Sequence, residues 1–288
     1  MPTTMASLPP APPRPPPRAA RRGKRAAALA AALVGLVSAA PQPRPSVMMM
    51  TGLPLVWGER GPFDPGSRPA RAYADLTQTF DFRPLDVLDA AGLARGKALF
   101  LAQPQRLAPA ELAALDAWIR SGGRALILTD PMLTWPSELP PGDIRRPPPV
   151  GLLAPLLDHW GLRLEPPAEG GEVEADWEGR RVLLDSPGRL VRAGGHCAVE
   201  DGGWTALCRL GRGTARIVAD ADLMRDSLWT WPTADNRAVV EDWMYEAAGT
   251  LRPPPRGHWI LRHDAALFFA VLAVLPGIGL LLQRRRKR

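Results

Sequence analysis

The chain has 288 residues, enough for one large domain or two modest ones, and its 46% hydrophobic content is ample for a packed core. Eleven Lys and Arg residues lie before the first apolar run or in the last five positions, and removing them from the formal net charge of +7 leaves −4. The body of the protein is therefore mildly acidic, which excludes nucleic acid as a predicted partner, whereas basic clusters beside apolar runs are typical of membrane topology.

The two ends of the chain carry these membrane signals. Residues 1–25 form a basic, Pro-rich segment that predicts a disordered tail, and residues 26–41 predict either an uncleaved signal anchor or a signal peptide. Residues 264–283 predict a transmembrane helix, followed by the basic tail 284–288. The positive-inside rule then predicts a protein of the bacterial cytoplasmic (inner) membrane, with its main domain periplasmic and its C-terminus cytoplasmic.

The region from residue 46 to residue 250 is the predicted folded domain. Val47 to Leu55 predicts a first strand, Thr77 to Phe82 alternates as a second strand would, and Leu85 to Leu93 has a short helical pattern. The methionines of the first strand are expected in the core, because no histidine or cysteine nearby completes a soft-metal site.

Ala98 to Pro131 reads as a complete strand–helix–strand unit. Ala98 to Ala102 and Arg124 to Thr129 are apolar runs typical of strands that are buried on both faces. Pro109 suits the first turn of a helix that continues to Ile119. Two parallel strands joined by a helix indicate a layered α/β domain.

The second half of the domain is predicted to start with a helix and then change character. Val150 to Trp160 predicts that helix, Leu162 to Leu210 a β-rich extension, and Thr214 to Ala219 another buried strand. Asn236 to Ala248 predicts the last helix, and residues 251–263 a stiff, Pro-rich tether.

Cys197 and Cys208 are the only cysteines. The turn 201–203 can join a hairpin in which the two residues lie opposite each other. The sequence therefore leaves two alternatives open, a disulfide bond and two free buried thiols. A disulfide would agree with a domain outside the cytoplasm.

Polar residues follow the predicted buried strands, where ligands bind in open α/β sheets. The same residue types also cap helices and hold turns, so both a ligand-binding and a structural role are open. The candidate ligand-binding residues are Gln103, Asp130, Asp220, Asp222 and Arg225.

Motifs for catalysis, nucleotide binding and metal binding are missing from the sequence. No GxSxG or GxCxG elbow, no phosphate-binding glycine motif and no zinc spacing is present, so neither an enzyme nor a cofactor or metal is predicted. The alternative is a periplasmic hydrolase that acts on an envelope saccharide or peptide through Asp130 and Asp220. Two carboxyls facing each other across an open cleft would favour it.

Three stretches carry a resemblance to a known family: VMMMTGLPLVWGE, LFLAQPQRLAPAELAALDAWIRSGGRALILTDPML and GRGTARIVADADLMRDSLWTWPTADNRAVVEDW. Together they resemble the class I glutamine-amidotransferase-like domain of membrane-anchored auxiliary proteins of ABC-type transport systems, including the gliding-motility type. The resemblance implies a flavodoxin-like domain outside the membrane that works with a separate ABC permease and ATPase. Because the catalytic cysteine of true amidotransferases is missing at the elbow, it does not imply their activity.

The resulting expectation is a non-catalytic, membrane-tethered auxiliary component of an ABC-type transport or cell-envelope system. Its expected fold is α/β, with a flavodoxin-like parallel sheet flanked by helices, a β-rich extension and one or two transmembrane helices. Exposed tryptophans on loops are the expected partner contacts, namely Trp135, Trp229 and Trp231.

Overall fold

The structure, a computed structural model, describes residues 43–253. Its strands are β1 (Ser46–Thr51), β2 (Asp81–Pro84), β3 (Ala98–Ala102), β4 (Arg124–Leu128), β5 (Leu162–Glu165), β6 (Glu172–Trp177), β7 (Arg180–Asp185), β8 (Arg189–Arg192), β9 (Cys197–Glu200), β10 (Thr205–Leu210) and β11 (Gly213–Val218). Its α-helices are α1 (Arg71–Thr79), α2 (Ala90–Leu93), α3 (Pro109–Arg120), α4 (Ala154–Trp160), α5 (Asp226–Trp229) and α6 (Asn236–Ala248). Short 3-10 turns cover Asp201–Gly203 and Asp222–Met224.

A seven-stranded sheet in the order β2-β1-β3-β4-β11-β10-β9 organises the domain. The first five strands in this order are parallel, while β10 runs antiparallel to both β11 and β9. The parallel part has the 2-1-3-4-5 order of flavodoxin-like doubly wound sheets. The predicted α/β fold with a mainly parallel sheet is therefore confirmed.

Helices cover both faces of the sheet because the buried strands are apolar on both sides. Phe100 and Leu126 face the core shared with α1 and α6, whereas Leu101 and Ile127 face the core shared with α3 and α4. The β-rich part adds two small antiparallel sheets, β5 with β8 and β6 with β7.

The central unit of the sequence forms as predicted. β3 and β4 pair in parallel, and α3 connects them with a proline in its first turn and Glu111 bonded back to the backbone N–H of Ala108. Gly161 ends α4 in the left-handed conformation, and α6 has the predicted bounds.

The predicted strand over residues 77–82 is wrong in its first half. Helix α1 continues to Thr79, and the strand begins only at Asp81. Ala72, Leu76 and Phe80 are buried at helical spacing, and this period outweighs the alternation of threonines that suggested a strand.

Three other predicted elements are shorter than expected. β1 ends at Thr51, because the N–H of Leu53 turns back to Thr51 Oγ1 at 2.9 Å and Pro54 has no N–H to extend the ladder. Helix α4 begins at Ala154 rather than Val150, with Pro155 in its first turn. Only four residues of the predicted helix over 85–93 are helical.

Within residues 43–253, no helix is sufficiently long and apolar to cross a membrane. The predicted segments 1–25, 26–41, 264–283 and 284–288 lie outside the described residues, and the tether is described only to Pro253. The transmembrane part of the predicted fold and the predicted domain boundaries stay predictions.

Candidate functional site

The predicted polar residues meet at the carboxyl edge of the sheet, which we define as the edge at which the parallel strands end. Gln103 follows β3, Asp130 lies two residues after β4, and Asp220 lies two residues after β11. Gln103, Asp130, Asp220 and Asp222 all have 0% exposure, and the Arg225 side chain is 16% exposed. The sequence therefore placed these residues together correctly, but they are enclosed by protein.

Gln103 closes the point at which a doubly wound sheet usually binds its ligand, between β1 and β3. Its side-chain amide donates to Asp130 O at 3.1 Å and to Pro148 O at 2.9 Å, and its Oε1 accepts from the N–H of Asp130 at 2.8 Å. The φ of Gln103 is 40°, a strained value for a residue with a Cβ. The backbone also approaches so closely that a Cβ at Gly52 would lie 2.2 Å from Gln103 O.

Asp130 and Asp220 bind the backbone of neighbouring loops. Asp130 accepts from the N–H groups of Met132 at 2.8 Å and Ala221 at 3.0 Å. Asp220 accepts from the N–H groups of Leu223 at 2.7 Å and Asp185 at 2.8 Å. Both carboxyls therefore hold turns, which is the structural alternative that the sequence left open.

Burial also favours the protonated form of these carboxyls. It raises the pKa of Asp130 to about 7, although the backbone hydrogen bonds from Ala221 and Met132 oppose the increase. Burial and the nearby Asp130 and Asp222 raise the pKa of Asp220 well above its usual value. Removal of these carboxyls from water is the main physical cause, and the neighbouring carboxyls add to it.

A second set of contacts connects Asp222 with Asp185 through Thr134. The Thr134 hydroxyl lies 2.7 Å from Asp185 Oδ2 and 2.9 Å from Asp222 Oδ2, and it accepts from Arg225 Nη1 at 3.0 Å. Arg225 Nη2 also donates to Asp185 Oδ2 at 2.9 Å. A hydroxyl has one proton to donate, and Asp222 Oδ2 also accepts from the backbone N–H of Thr134 at 2.6 Å.

The pKa values of Asp222 and Asp185 shift in opposite directions. Burial raises the pKa of Asp222, and its Oδ1 has no hydrogen-bond partner among the described residues. Burial opposes ionisation of Asp185 as well, but hydrogen bonds from Thr134, Ser186 and Arg225 lower its pKa overall. Asp185 and Arg225 thus form the closest ion pair of the cluster, at 2.9 Å, and Asp222 lies farther from Arg225, at 3.9 Å.

This arrangement argues against the hydrolase alternative. The strand-end carboxyls are saturated by backbone amides and closed to solvent, whereas a hydrolase needs two carboxyls at an open cleft. Among residues 43–253, no group of three or more His, Cys, Asp or Glu side chains is arranged to hold a metal ion. A ligand-binding role for the five predicted residues stays a prediction.

The sequence interpretation missed several members of this cluster. Asp185 and Ser186 follow the apolar run of β7, so the rule that selected Asp130 would also have selected them. Thr134 and Pro148 lie in the insert 131–153 and have no local signal, because their contacts are made with residues far away in sequence.

Two surface depressions lie away from this cluster. One, of about 650 Å³, is lined by the β6–β7 hairpin and by Asp235 before α6. The other, of about 400 Å³, is lined by β8, β9 and the turn Asp201–Gly203. Neither depression contains a predicted site residue.

Cys197 and Cys208 form a disulfide bond and lie directly opposite each other on β9 and β10. Both are buried in the core that α3 and α4 share with the sheet.

The three tryptophans expected to contact a partner differ in exposure. Trp231 is 45% exposed and Trp135 is partly buried, whereas Trp229 is 5% exposed and donates from Nε1 to Asp75 at 3.1 Å. The expectation of an exposed Trp229 is wrong, because α5 packs this side chain into the core.

Comparison with protein families gives a match to a family described as "ABC-type uncharacterized transport system", over residues 12–168. This segment is more than half of the chain and runs through β5. The chain belongs to this family. The family indicates an auxiliary component of an ABC-type transport system, so this part of the predicted resemblance is confirmed, whereas the amidotransferase-like part stays a prediction.

No curated protein matches the chain. Among solved structures, it is similar to the "mmIFT52 N-terminal domain", with 10% identity, coverage of 73% of this chain and 100% of that one, and a TM-score of 0.47. It is also similar to the cytoplasmic protein STM1381 from Salmonella typhimurium LT2, with 10% identity, 70% and 99% coverage and a TM-score of 0.45.

Glycosidases are among the similar structures too. The exo-beta-1,4-mannosidase Op5Man5 from Opitutaceae bacterium strain TAV5 has 14% identity, a TM-score of 0.44 and coverage of 80% of this chain, which spans only 40% of the enzyme. At such identities and scores, none of these likenesses carries an argument about function.

Proposed function

We propose that this member of the family is a non-catalytic, membrane-tethered component of an ABC-type transport system, with its α/β domain on the periplasmic side of the cytoplasmic membrane. The family match carries the transport role. The apolar run 264–283 with its basic tail supports the tether, and the Cys197–Cys208 bond supports an oxidising compartment.

The non-catalytic part of the proposal depends on the carboxyl edge. The residues that a catalytic member of such a fold would expose there are buried, and they are used to hold loops. The partners are then a separate ABC permease and ATPase, because the chain has no nucleotide-binding motif of its own.

Affinity purification of the full chain from detergent-solubilised membranes tests the transport role. We expect a permease and an ATPase to co-purify at constant ratio after chemical cross-linking in intact cells. The matched control is a tagged chain that ends at residue 253 and therefore lacks the proposed tether. Recovery of the full chain without either subunit would contradict the proposal.

The periplasmic location has a separate test. Thiols are blocked by a membrane-permeant alkylating reagent before lysis, and the pair is then analysed without reductant. We expect Cys197 and Cys208 to escape alkylation as a bonded pair. Two alkylated residues would place the domain in a reducing compartment and contradict this part of the proposal.

A further inference from the structure

The opposite edge of the sheet, at which the parallel strands begin, is basic. We call it the amino edge and define it by the first residues of the parallel strands, which are Ser46, Asp81, Ala98, Arg124 and Gly213. Exposed cations lie directly beside these positions. They are Arg44 before β1, Lys97 before β3, Arg209 near the end of β10 and Arg212 before β11.

Backbone and side-chain contacts fix these cations at the edge. The N–H of Arg124 bonds to Lys97 O at 2.9 Å, and the N–H of Arg212 bonds to Arg120 O at 3.0 Å. The guanidinium of Arg44 donates to Thr77 O in the last turn of α1. Because these links belong to the sheet and its helices, Arg44, Lys97 and Arg212 are held at this edge, and Arg209 lies within β10 itself.

These charges are not neutralised within the domain. Arg44, Lys97, Arg209 and Arg212 make no ion pair among the described residues. Acidic side chains near the same edge are already paired with other arginines. These pairs are Asp81 with Arg83, Asp116 with Arg120 and Glu246 with Arg216.

The described chain begins at the amino edge, and its last helix also ends there. Arg44 is two residues before β1, so the segment 26–41 joins the domain there. Helix α6 also ends there, because a Cβ at Gly249 would meet the Arg124 guanidinium at 2.1 Å. Only the run 250–263 then separates this edge from the predicted transmembrane run.

We propose that the amino edge faces the membrane and binds the headgroups of anionic phospholipids through Arg44, Lys97, Arg209 and Arg212. This inference rests on the proposed tether. Basic residues near an anionic bilayer bind it over about one Debye length, and their contributions are lost at high salt. The carboxyl edge, with Phe63 97% exposed and Ile144 86% exposed, then points away from the membrane.

Fluorescent labels on the two edges test this orientation in the full chain, reconstituted in nanodiscs. Ser121→Cys places a label at the amino edge, and Ile144→Cys places one at the carboxyl edge, about 17–20 Å of strand length away. The native cysteines are bonded and buried, so they do not react. Lipids with a nitroxide headgroup quench a label that approaches them.

In nanodiscs that contain phosphatidylglycerol, we expect strong quenching of the Ser121 label and little quenching of the Ile144 label. Replacing the anionic lipid by phosphatidylcholine, or adding 0.5 M salt, should reduce the bound population of the domain at least tenfold, since each basic residue contributes about fivefold.

Charge reversal identifies the surface. The triple variant Lys97→Glu, Arg209→Glu, Arg212→Glu should behave in anionic nanodiscs as the unchanged chain does in neutral ones. The matched control reverses Arg60, Arg68 and Arg106, which lie on loops of the carboxyl edge, and should keep the quenching. If the triple variant does not fold, the proposal is tested by how the quenching in the unchanged chain depends on salt and on lipid charge.

The outcomes separate this inference from the proposed function. A chain that fails to enter nanodiscs contradicts the tether and the orientation together. A chain that enters them with equal quenching at both labels, or with quenching that salt and lipid charge do not change, contradicts the orientation alone.

Discussion

The disulfide between Cys197 and Cys208 allows a prediction whose size follows from the structure. The two residues are separated by 11 positions and close a hairpin through a tight turn. In the chain-entropy description, a cross-link over such a loop removes about 3 kcal/mol of conformational freedom from the unfolded state. Reduction should therefore lower the free energy of unfolding by about 3 kcal/mol, or the Tm by about 6–12 °C.

Denaturant unfolding of the full chain in detergent, followed by tryptophan fluorescence, measures this loss. Trp204 and Trp243 pack against each other beside the hairpin, with ring centroids 5.8 Å apart, and report its opening. The oxidised chain, the chain reduced while unfolded, and the double variant Cys197→Ala, Cys208→Ala are compared at equal detergent concentration.

The free energy of unfolding should fall by similar amounts in the reduced chain and in the double variant if the cross-link acts on the unfolded state. Reduction that changes the free energy of unfolding by less than about 1 kcal/mol would refute this reasoning. A double variant that loses several kcal/mol more than the reduced chain would show that sulfur packing in the core, rather than loop closure, carries the effect.

Three other predictions concern the cluster and the core. Because the pKa of Asp130 is raised to about 7 in the folded state, its stabilising effect is complete below its usual pKa and is lost as the pH rises through 7. Chemical unfolding from pH 5 to pH 8 should therefore show falling stability, less steep in Asp130→Asn, and an equal slope in both chains would contradict the assignment. Gly52→Ala should lower the free energy of unfolding by more than about 3 kcal/mol, because its Cβ would meet Gln103 O at 2.2 Å. Gly170→Ala would meet the flexible end of Met132 at 3.2 Å and Ser186 Oγ at 3.4 Å, and it should be tolerated in thermal melts. Trp229→Ala should cost about 3–5 kcal/mol and Trp231→Ala less than about 1 kcal/mol, and equal losses in denaturant unfolding would contradict the burial of Trp229.

Elements with local signals were predictable from the sequence. Pro109 at a helix start, the Ser121-Gly122-Gly123 stop and two apolar runs were sufficient to place β3, α3 and β4. Strand β2 was harder because it is an edge strand whose four residues are partly or fully exposed. Its sequence carries little burial pattern, and the neighbouring helix α1 was therefore misread as part of it.

The sequence predicts which residues form the candidate site, but it does not predict whether they are exposed to solvent. Strand ends converge in any parallel sheet, so residue type and position were enough to select Gln103, Asp130 and Asp220. Whether they face solvent depends on the insert 131–153, whose contacts span long distances in sequence. Thr134 meets Asp222 across 88 positions and Pro148 meets Gln103 across 45, and no local pattern encodes such pairs.

The closed carboxyl edge has a consequence for the way in which this protein works with its partners. Doubly wound domains usually bind ligands at that edge, but here the buried carboxyls of Asp130 and Asp220 bind backbone amides of the loops. The four cations of the amino edge, which make no ion pair among the described residues, lie beside the positions that join the domain to the predicted membrane segments. We therefore propose that the domain acts through its surface and its orientation, a role that suits an auxiliary component of a transport system.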